Sequence, residues 1–218
     1  VRLAVASNRM TPQVVIEELS KDKRAAVRTA VVVSPQLSKA ALQQLSSDPT
    51  IAVAQLVSAR PDLSAESFVI LSKSNSPMVR TILAMNAKLP NNLVTVLGKD
   101  DVPSVRAAIA ANASVIATST ADGKTSNLDS LFAKLGQDSD ELVRQSVAAN
   151  PNAPKQCLAS LSHDQSSSVL RSLALNPQAG EAILIALAQS PEPAVRHELL
   201  NRSNTSAAIL LKLVQDSD

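Results

Sequence analysis

The sequence is almost without aromatic residues and has little glycine. Phe68 and Phe132 are its only aromatic residues, and tryptophan and tyrosine are absent from its 218 positions. A hydrophobic core must therefore be built from Ala, Val, Leu and Ile, which suit short helices packed closely together. With only four glycines, the chain lacks the turn residues that a β-sandwich usually needs.

Cysteine and net charge are also scarce. A single cysteine, Cys157, excludes an internal disulfide and any metal site built from several cysteines. A net charge of +2 does not by itself indicate a nucleic-acid or membrane partner, although residues 1–109 carry a balance of +5 and residues 110–218 a balance of −3. No apolar run approaches the roughly 20 residues of a membrane span, so no membrane partner is expected. The sequence leaves the compartment open, with the cytoplasm as the working expectation.

A repeat of 26 residues organises the whole chain. Its marker is a valine, followed by arginine in most copies, and successive markers lie 26 residues apart with one exception. The exception is the 38-residue step from Val105 to Val143, which equals one repeat plus a 12-residue insertion within residues 113–127. The markers define eight repeats, which start at Val1, Val27, Val53, Val79, Val105, Val143, Val169 and Val195.

Within each repeat, the regularly spaced positions predict two helices. Positions one, five and eight are separated by four and three residues, which is one face of a helix, and positions twelve, sixteen and nineteen repeat that spacing. Helices of about ten residues are too short to be stable alone in water, so each repeat must pack against its neighbours. The sequence therefore predicts an all-α solenoid of about eight two-helix repeats, a single array over residues 1–218 that we expect to be part of a longer chain.

Two positions predict where these helices begin and end. Position eight is Asn in five repeats, which predicts a residue of left-handed conformation that ends the first helix. We prefer this interpretation over a row of Asn side chains that bind a ligand. Position twenty-two is Asp or Ser in every repeat, which predicts an N-terminal cap for the next helix. Pro49 and Pro191 would then stand at the first helical position.

The Arg at position two and the Asp at position twenty-two are lost together. Both are absent from the third repeat, which has Ala54 and Ser74, and from the seventh, which has Leu170 and Ser190. Because Ser keeps a capping oxygen but loses the charge, the joint loss indicates an ion pair within the repeat. We expect these residues to form a ladder of ion pairs, in which an Asp neutralises each Arg, rather than a ladder of Arg side chains that binds phosphate. The expected pairs are Arg28–Asp48, Arg80–Asp100, Arg106–Asp138 and Arg144–Asp164.

The repeat resembles the bacterial leucine-rich repeat variant. Residues 143–164 carry its pattern almost whole, as Val-Arg-x-x-Val-Ala-x-Asn-Pro-x-x-Pro followed by Leu-x-x-Leu-x-x-Asp. The resemblance covers essentially all 218 residues and implies alternating helices wound into a right-handed superhelix. HEAT-type repeats share the Asp/Val-Arg sequence pattern and are the close alternative. One type of family member carries an iron–sulfur cluster on a cysteine-bearing N-terminal segment; these 218 residues lack that segment, so no cofactor is expected on them.

Residues that could carry catalysis or bind a metal are few. His163 and His197 are 34 residues apart in different repeats and lack the spacing of a metal site. No glycine-rich phosphate-binding loop is present. Cys157 occupies a position filled elsewhere by aliphatic residues, which predicts a core residue. We therefore expect a chain that is not an enzyme and has no catalytic, metal-binding or cofactor-binding residues.

The expected function is a scaffold that presents an extended surface to another protein, whose identity the sequence does not give. Two alternatives stay open: a nucleic-acid-binding HEAT-like solenoid, and a support domain of a larger enzyme or cofactor-carrying protein. The insertion, with its small polar residues, predicts a loop at the edge of the array. It is either a tolerated surface insertion or a partner-binding loop, with candidate contacts at Thr118, Ser119, Asp122 and Lys124.

Overall fold

The computed structural model describes residues 1–115, 125–203 and 205–215, without the side chains of residues 125–127. These residues form helices and no strand, so the all-α prediction is confirmed. The helices run over Arg2–Ser7 (α1), Gln13–Leu19 (α2), Ala25–Val32 (α3), Lys39–Leu45 (α4), Ile51–Ser58 (α5), Ala65–Ser72 (α6), Pro77–Ala84 (α7), Asn91–Leu97 (α8), Pro103–Ala111 (α9), Thr125–Leu135 (α10), Glu141–Ala149 (α11), Lys155–Leu161 (α12), Ser167–Leu175 (α13), Glu181–Leu187 (α14), Pro193–Leu200 (α15) and Ala207–Leu213 (α16).

The helices are arranged as repeated pairs in two compact blocks, Val1–Leu97 and Gly98–Asp218. In the N-terminal block, the first helices α1, α3, α5 and α7 pack side by side in one layer, and α4, α6 and α8 follow one another in a second layer. In the C-terminal block, α9, α11, α13 and α15 form the corresponding first layer. Helices of six to eleven residues have little stability of their own, so this lateral packing is what holds each block together.

The core of each block is aliphatic and follows the 26-residue spacing. Position one is fully buried from Val53 to Val195, and position five is equally buried from Val31 to Leu199. In the second helices, the leucines at position nineteen are buried from Leu19 to Leu187. Because these side chains point between neighbouring helices, truncating one of the leucines to Ala would open a cavity at a cost of about 2–5 kcal/mol.

The predicted N-terminal caps at position twenty-two are wrong by two residues. Asp48 Oδ1 accepts a hydrogen bond from the Thr50 amide at 2.8 Å, and Thr50, not Asp48, is the residue before α5. The aspartate therefore forms an Asx turn ahead of the helix, a motif that uses the same acceptor and the same two-residue offset as a cap. Pro49 and Pro191 lie inside such turns, and the prolines that do begin helices are Pro77, Pro103 and Pro193.

The predicted left-handed conformation at position eight is also wrong. Asn150 and Asn176 do end their helices, but with φ/ψ of −72°/118° and −67°/125°, which is extended backbone. Pro151 and Pro177 favour this conformation, because a proline ring disfavours helical conformations in the preceding residue. Asn8 and Asn112 are extended as well, without a proline after them, so the extended ending does not depend on proline.

The insertion is helical where the structure describes it. Residues 113–115 are helical, and Thr125–Leu135 forms the eleven-residue α10, so the predicted loop over residues 113–127 is too long at both ends. Small polar residues suggested a loop, but the helical pattern of Leu128, Leu131 and Leu135, all buried, extends the second helix. Thr118, Ser119, Asp122 and Lys124 lie outside the described residues.

Candidate interaction surface

The structure brings Arg28 and Asp48 together as a two-pronged ion pair. Arg28 Nε donates to Asp48 Oδ2 at 2.6 Å, and Arg28 Nη2 donates to Asp48 Oδ1 at 2.9 Å. The two side chains are 12% and 4% exposed, so the pair is largely removed from water. A planar guanidinium matches a carboxylate in this geometry, which fixes the orientation of both groups.

The same pairing recurs in the C-terminal block. Arg106 Nε and Nη2 donate to Asp138 at 2.7 and 2.8 Å, across the insertion. Arg144 Nε and Nη2 donate to Asp164 at 2.6 and 3.2 Å. The arginine on a first helix is thus tied to the aspartate that ends the same repeat.

Each of these arginines also reaches back to the preceding repeat. Arg28 Nη1 donates to the carbonyl of Asp22 at 2.7 Å, and Arg144 Nη1 donates to the carbonyl of Asp138 at 2.8 Å. Arg80 makes the same bond to the Ser74 carbonyl at 2.6 Å. One guanidinium therefore joins the turn that precedes its helix to the turn that ends its repeat. The side chain of Asp100, the remaining member of the expected set, accepts from the Val102 amide at 3.0 Å.

The ion pairs set the charge state of the buried aspartates. Burial is the largest influence on Asp48 and raises its pKa, but hydrogen bonds from Arg28 and the Thr50 amide outweigh it, so the pKa lies below the ordinary value of 3.8. The hydrogen bond from Arg106 is the largest influence on the pKa of Asp138 and lowers it. These carboxylates are ionised at neutral pH and already matched by a cation, so this ladder is poorly suited to binding phosphate.

The repeats without the pair keep the turn but not the charge. Ser74 Oγ accepts from the Ser76 amide at 3.3 Å, and Ser190 Oγ accepts from the Glu192 amide at 3.3 Å. The serine hydroxyl thus replaces the carboxylate in the turn. In the same repeats Ala54 and Leu170 replace the arginine, so no cation is present to pair with a carboxylate. The joint loss seen in the sequence has this physical basis.

Sequence reasoning missed a second ladder, formed by position eight. Asn86 Nδ2 donates to the carbonyls of Ser58 and Arg60 at 3.2 and 2.8 Å, both in the preceding repeat. Asn176 Nδ2 makes the equivalent bonds to Ala148 and Asn150 at 2.7 and 2.9 Å. The acceptors are carbonyls at the end of the preceding first helix, which have no partner within that helix.

Arginine replaces asparagine in this ladder without changing its role. Arg60 Nη1 donates to the Val32 and Ser34 carbonyls at 3.0 and 3.3 Å, and Asp62 holds its other two nitrogens at 2.7–2.8 Å. Arg202 Nη1 donates to the carbonyls of Ala174 and Asn176. The shared feature of the position is a side-chain N–H donor, and the appearance of Arg in place of Asn was the signal available in the sequence.

The outer side of the first helices in the N-terminal block carries no charged residue. We define the first-helix face as positions three, four and seven of repeats one to four. All of these residues are at least partly exposed, and Val33 and Met85 are 65% and 63% exposed. The members of the face are Leu3, Ala4, Ser7, Thr29, Ala30, Val33, Gln55, Leu56, Ala59, Thr81, Ile82 and Met85.

Charged side chains stand outside the first-helix face, with Arg9 at its border beside Ala30 and Val33. In the N-terminal block, Glu17, Lys39 and Glu66 belong to second helices. In the C-terminal block, positions three and four do carry charge, where Arg171 pairs with Glu198 at 2.5 Å on the surface. The uncharged character of the first-helix face is therefore a local property of the N-terminal block.

Comparison with solved structures identifies the architecture. The chain is similar to a solved protein described as a leucine-rich repeat variant with a novel repetitive protein structural motif. The TM-score is 0.60, the sequence identity is 20%, and the match covers 93% of this chain and 81% of that one. The chain has the leucine-rich repeat variant fold. No protein-family model and no curated protein sequence matches the chain at a significant level.

Within this leucine-rich repeat variant fold, the two histidines lie apart on the surface. His163 is exposed and lies 3.1 Å from the Ser162 hydroxyl, and His197 is exposed on α15. The described part of the chain holds no cluster of three or more His, Cys, Asp or Glu side chains suited to a metal ion. Among residues 1–115, 125–203 and 205–215, no helix combines the length and the hydrophobicity needed to cross a membrane.

Cys157 faces a cleft but is not activated as a nucleophile. The cleft measures about 400 Å³ and lies between α10 and α12, with Asp129, Gly136, Lys155 and Cys157 on its walls. Burial is the largest influence on the Cys157 thiol and raises its pKa, and the charge of Asp129 acts in the same direction. A thiol held in its protonated form is a poor nucleophile and a poor metal ligand, which agrees with a packing role.

Proposed function

We propose that the protein is a non-catalytic repeat scaffold that binds another protein through the first-helix face of its N-terminal block. The observation that carries the proposal is the absence of charge on that face over four consecutive repeats, together with the exposure of Val33 and Met85. Charged residues are depleted and Met is enriched at the centres of protein interfaces, and contiguous exposed apolar surface marks interaction sites. The partner surface is accordingly uncharged and rich in apolar side chains.

The charge distribution favours a protein over a nucleic acid as the partner. Binding to a duplex depends on Lys and Arg side chains that contact phosphates. The first-helix face contains none, and the buried arginines of the ladder, such as Arg28 and Arg144, are already held by their own aspartates. The nucleic-acid-binding alternative therefore has less support. The alternative of a support domain in a larger protein is tested by identifying the partner.

The test compares glutamate substitutions on the two layers of the same block. The double variant Val33→Glu/Met85→Glu places two charges on the first-helix face, whereas Val69→Glu/Val96→Glu places them on second helices at side chains that are 38% and 58% exposed. A photo-crosslinking residue at Met85 captures the partner in the source cell, and titration with the purified partner then gives Kd for each variant. Circular dichroism and Tm show that both variants are folded.

The proposal expects weaker partner binding by the first-helix variant and wild-type binding by the second-helix variant. Equal effects of the two variants, or a loss confined to Val69→Glu/Val96→Glu, would overturn it. A labelled DNA duplex is titrated in parallel at several salt concentrations. A steep fall of affinity with salt, retained in both variants, would support the nucleic-acid alternative instead.

A further inference from the structure

The second repeat departs from the donor ladder at position eight. Its residue there is Ser34, whose hydroxyl accepts a hydrogen bond from the Gln36 amide at 3.2 Å within its own repeat. The backbones of the second and fourth repeats match at this point, although Pro35 follows Ser34 where Ala87 follows Asn86. Val33 and Met85 end their helices with φ/ψ of −83°/−4° and −80°/−7°, and Ser34 N and Asn86 N each donate to a helix carbonyl at 3.0 Å. The second repeat thus has the backbone of the ladder without its donor.

A cleft adjoins Ser34, where equivalence with Asn86 and Asn176 would place a donor side chain. It measures about 310 Å³, lies between the ends of α1 and α3, and is lined by Ala6, Asn8, Arg9, Ala30, Val33 and Ser34 among others. By equivalence with Asn86 and Asn176, the ladder acceptors here are the carbonyls of Ala6 and Asn8. The Thr11 amide donates to Asn8 O at 3.0 Å, and no described side chain donates to Ala6 O. The cleft therefore presents helix-end carbonyls that attract N–H donors.

The surroundings select a neutral donor over a cationic one. At Arg60, one of the two guanidiniums in the ladder, the carboxylate of Asp62 two residues later balances the charge. The residue equivalent to Asp62 in the second repeat is the uncharged Gln36, and the cleft wall includes the cation Arg9. A guanidinium would meet like charge there, whereas a primary carboxamide can donate to the two carbonyls and accept from Arg9 with its oxygen.

We propose that the cleft between α1 and α3 is a binding site for the primary carboxamide of an Asn or Gln side chain of a partner protein. In this site, the partner's side chain makes the hydrogen bonds that Asn86 and Asn176 make within the chain itself. Ala30 and Val33 belong both to the cleft wall and to the first-helix face, so the inference rests on the proposed function and specifies its partner. An amide side chain flanked by apolar residues fits both parts of this surface.

The test uses three short peptides that differ in one side chain. Acetyl-Val-Gln-Val N-methylamide carries the amide, and the matched peptides have Glu or Met in place of Gln. Binding is followed by amide chemical shifts in the full chain. The Gln peptide is expected to shift Asn8, Val33 and Ser34, and to bind about tenfold more tightly than the Met peptide, as two modest net hydrogen bonds predict.

Two variants of the chain distinguish binding at this site from nonspecific binding. Ser34→Asn supplies the ladder's own donor, so we expect a higher Tm and loss of the Gln-peptide shifts at this cleft. Asn86→Ser removes a donor from the fourth repeat, so we expect a second set of shifts near the Ser58 and Arg60 carbonyls. Equal binding of the Gln and Met peptides, or Gln-peptide shifts that survive in Ser34→Asn, would overturn the proposal.

The outcome is distinguishable from that of the proposed function. Ser34→Asn leaves every residue of the first-helix face in place. If Val33→Glu/Met85→Glu abolishes partner binding while Ser34→Asn has no effect on the partner or the Gln peptide, the carboxamide site is wrong and the scaffold proposal stands. If the Gln peptide binds as expected and partner binding is unchanged in Val33→Glu/Met85→Glu, the scaffold proposal fails and the carboxamide specificity of the cleft remains as a separate property.

Discussion

At the residue scale, the chain is organised by side chains that reach from one repeat to the next. Arg144 bonds to the turns at both ends of its repeat, and Asn176 donates to two carbonyls of the repeat before it. The ion pair was predictable because Arg and Asp disappear together from two repeats. The asparagine ladder was missed, because Asn is equally typical of helix ends, and its one sequence signal was the Arg that replaces Asn at Arg60 and Arg202.

The ion pair is expected to stabilise as a unit rather than as separate residues. Arg144→Ala leaves the Asp164 carboxylate largely buried without its cation, so we expect a loss of about 3–5 kcal/mol in the free energy of unfolding. Arg144→Leu combined with Asp164→Ser reproduces the seventh repeat and should cost much less than the sum of its single changes. Urea unfolding of the wild type, the two single variants and the double variant measures the coupling energy.

The surface pair Arg171–Glu198 provides the control for this cycle. The Arg171 side chain is 51% exposed and that of Glu198 13%, against 19% and 7% for Arg144 and Asp164. Exposed ion pairs contribute about 0–1 kcal/mol, so Arg171→Ala should cost clearly less free energy of unfolding than Arg144→Ala. Strictly additive losses at Arg144 and Asp164 would show that the two residues act independently and would contradict the pairing.

Acid should weaken the fold through the same carboxylates. Hydrogen bonds and ion pairs outweigh burial at Asp48 and Asp164 and hold both folded-state pKa values below 3.8. At a pH between the folded and unfolded values the unfolded chain binds more protons, so this stabilisation is complete above the ordinary aspartate pKa and is lost as the pH falls through the lowered values. Urea unfolding between pH 7 and pH 2 should show the decline, and the Arg144→Leu/Asp164→Ser variant should show a shallower one.

At the scale of the helix, the sequence located each element but misplaced its ends. An Asx turn and an N-terminal cap both use an Asp or Ser oxygen and an amide two or three residues later, so sequence spacing alone does not separate them. The structure assigns the turn to Asp48 and true side-chain caps to residues such as Ser64 and Ser38. The second helix α10 is longer than expected, because its buried leucines continue the helical pattern into the insertion.

The cap at Ser64 is expected to contribute to the stability of α6. Its hydroxyl accepts from the Ser67 amide at 3.1 Å, which satisfies one of the free donors at the start of the helix. Ser64→Ala should lower the free energy of unfolding by about 1 kcal/mol. Thermal or urea unfolding checks this, with Ser47→Ala as a matched change at an exposed serine that caps no helix. A Ser64→Ala variant as stable as Ser47→Ala would contradict the assigned cap.

At the scale of the whole molecule, stability and function both follow from repetition. Short aliphatic helices bury their side chains only against neighbouring repeats, and the regular stacking leaves one side of the first helices free in the N-terminal block. The repeat and the all-α architecture were readable from valine and leucine spacing. The uncharged face was not, because knowing which positions of the first helix remain exposed required the packing of α1, α3, α5 and α7.

Hydrogen exchange of a Leu173→Ala variant tests the central claim that each repeat is stabilised by its neighbours. Leu173 is fully buried in α13, which packs between α11 and α15. The substitution should cost about 2–5 kcal/mol, and nearest-neighbour coupling predicts faster exchange in α13, α11 and α15, with α9 less affected. Faster exchange confined to α13, or an equal increase in every helix of the block, would contradict the account.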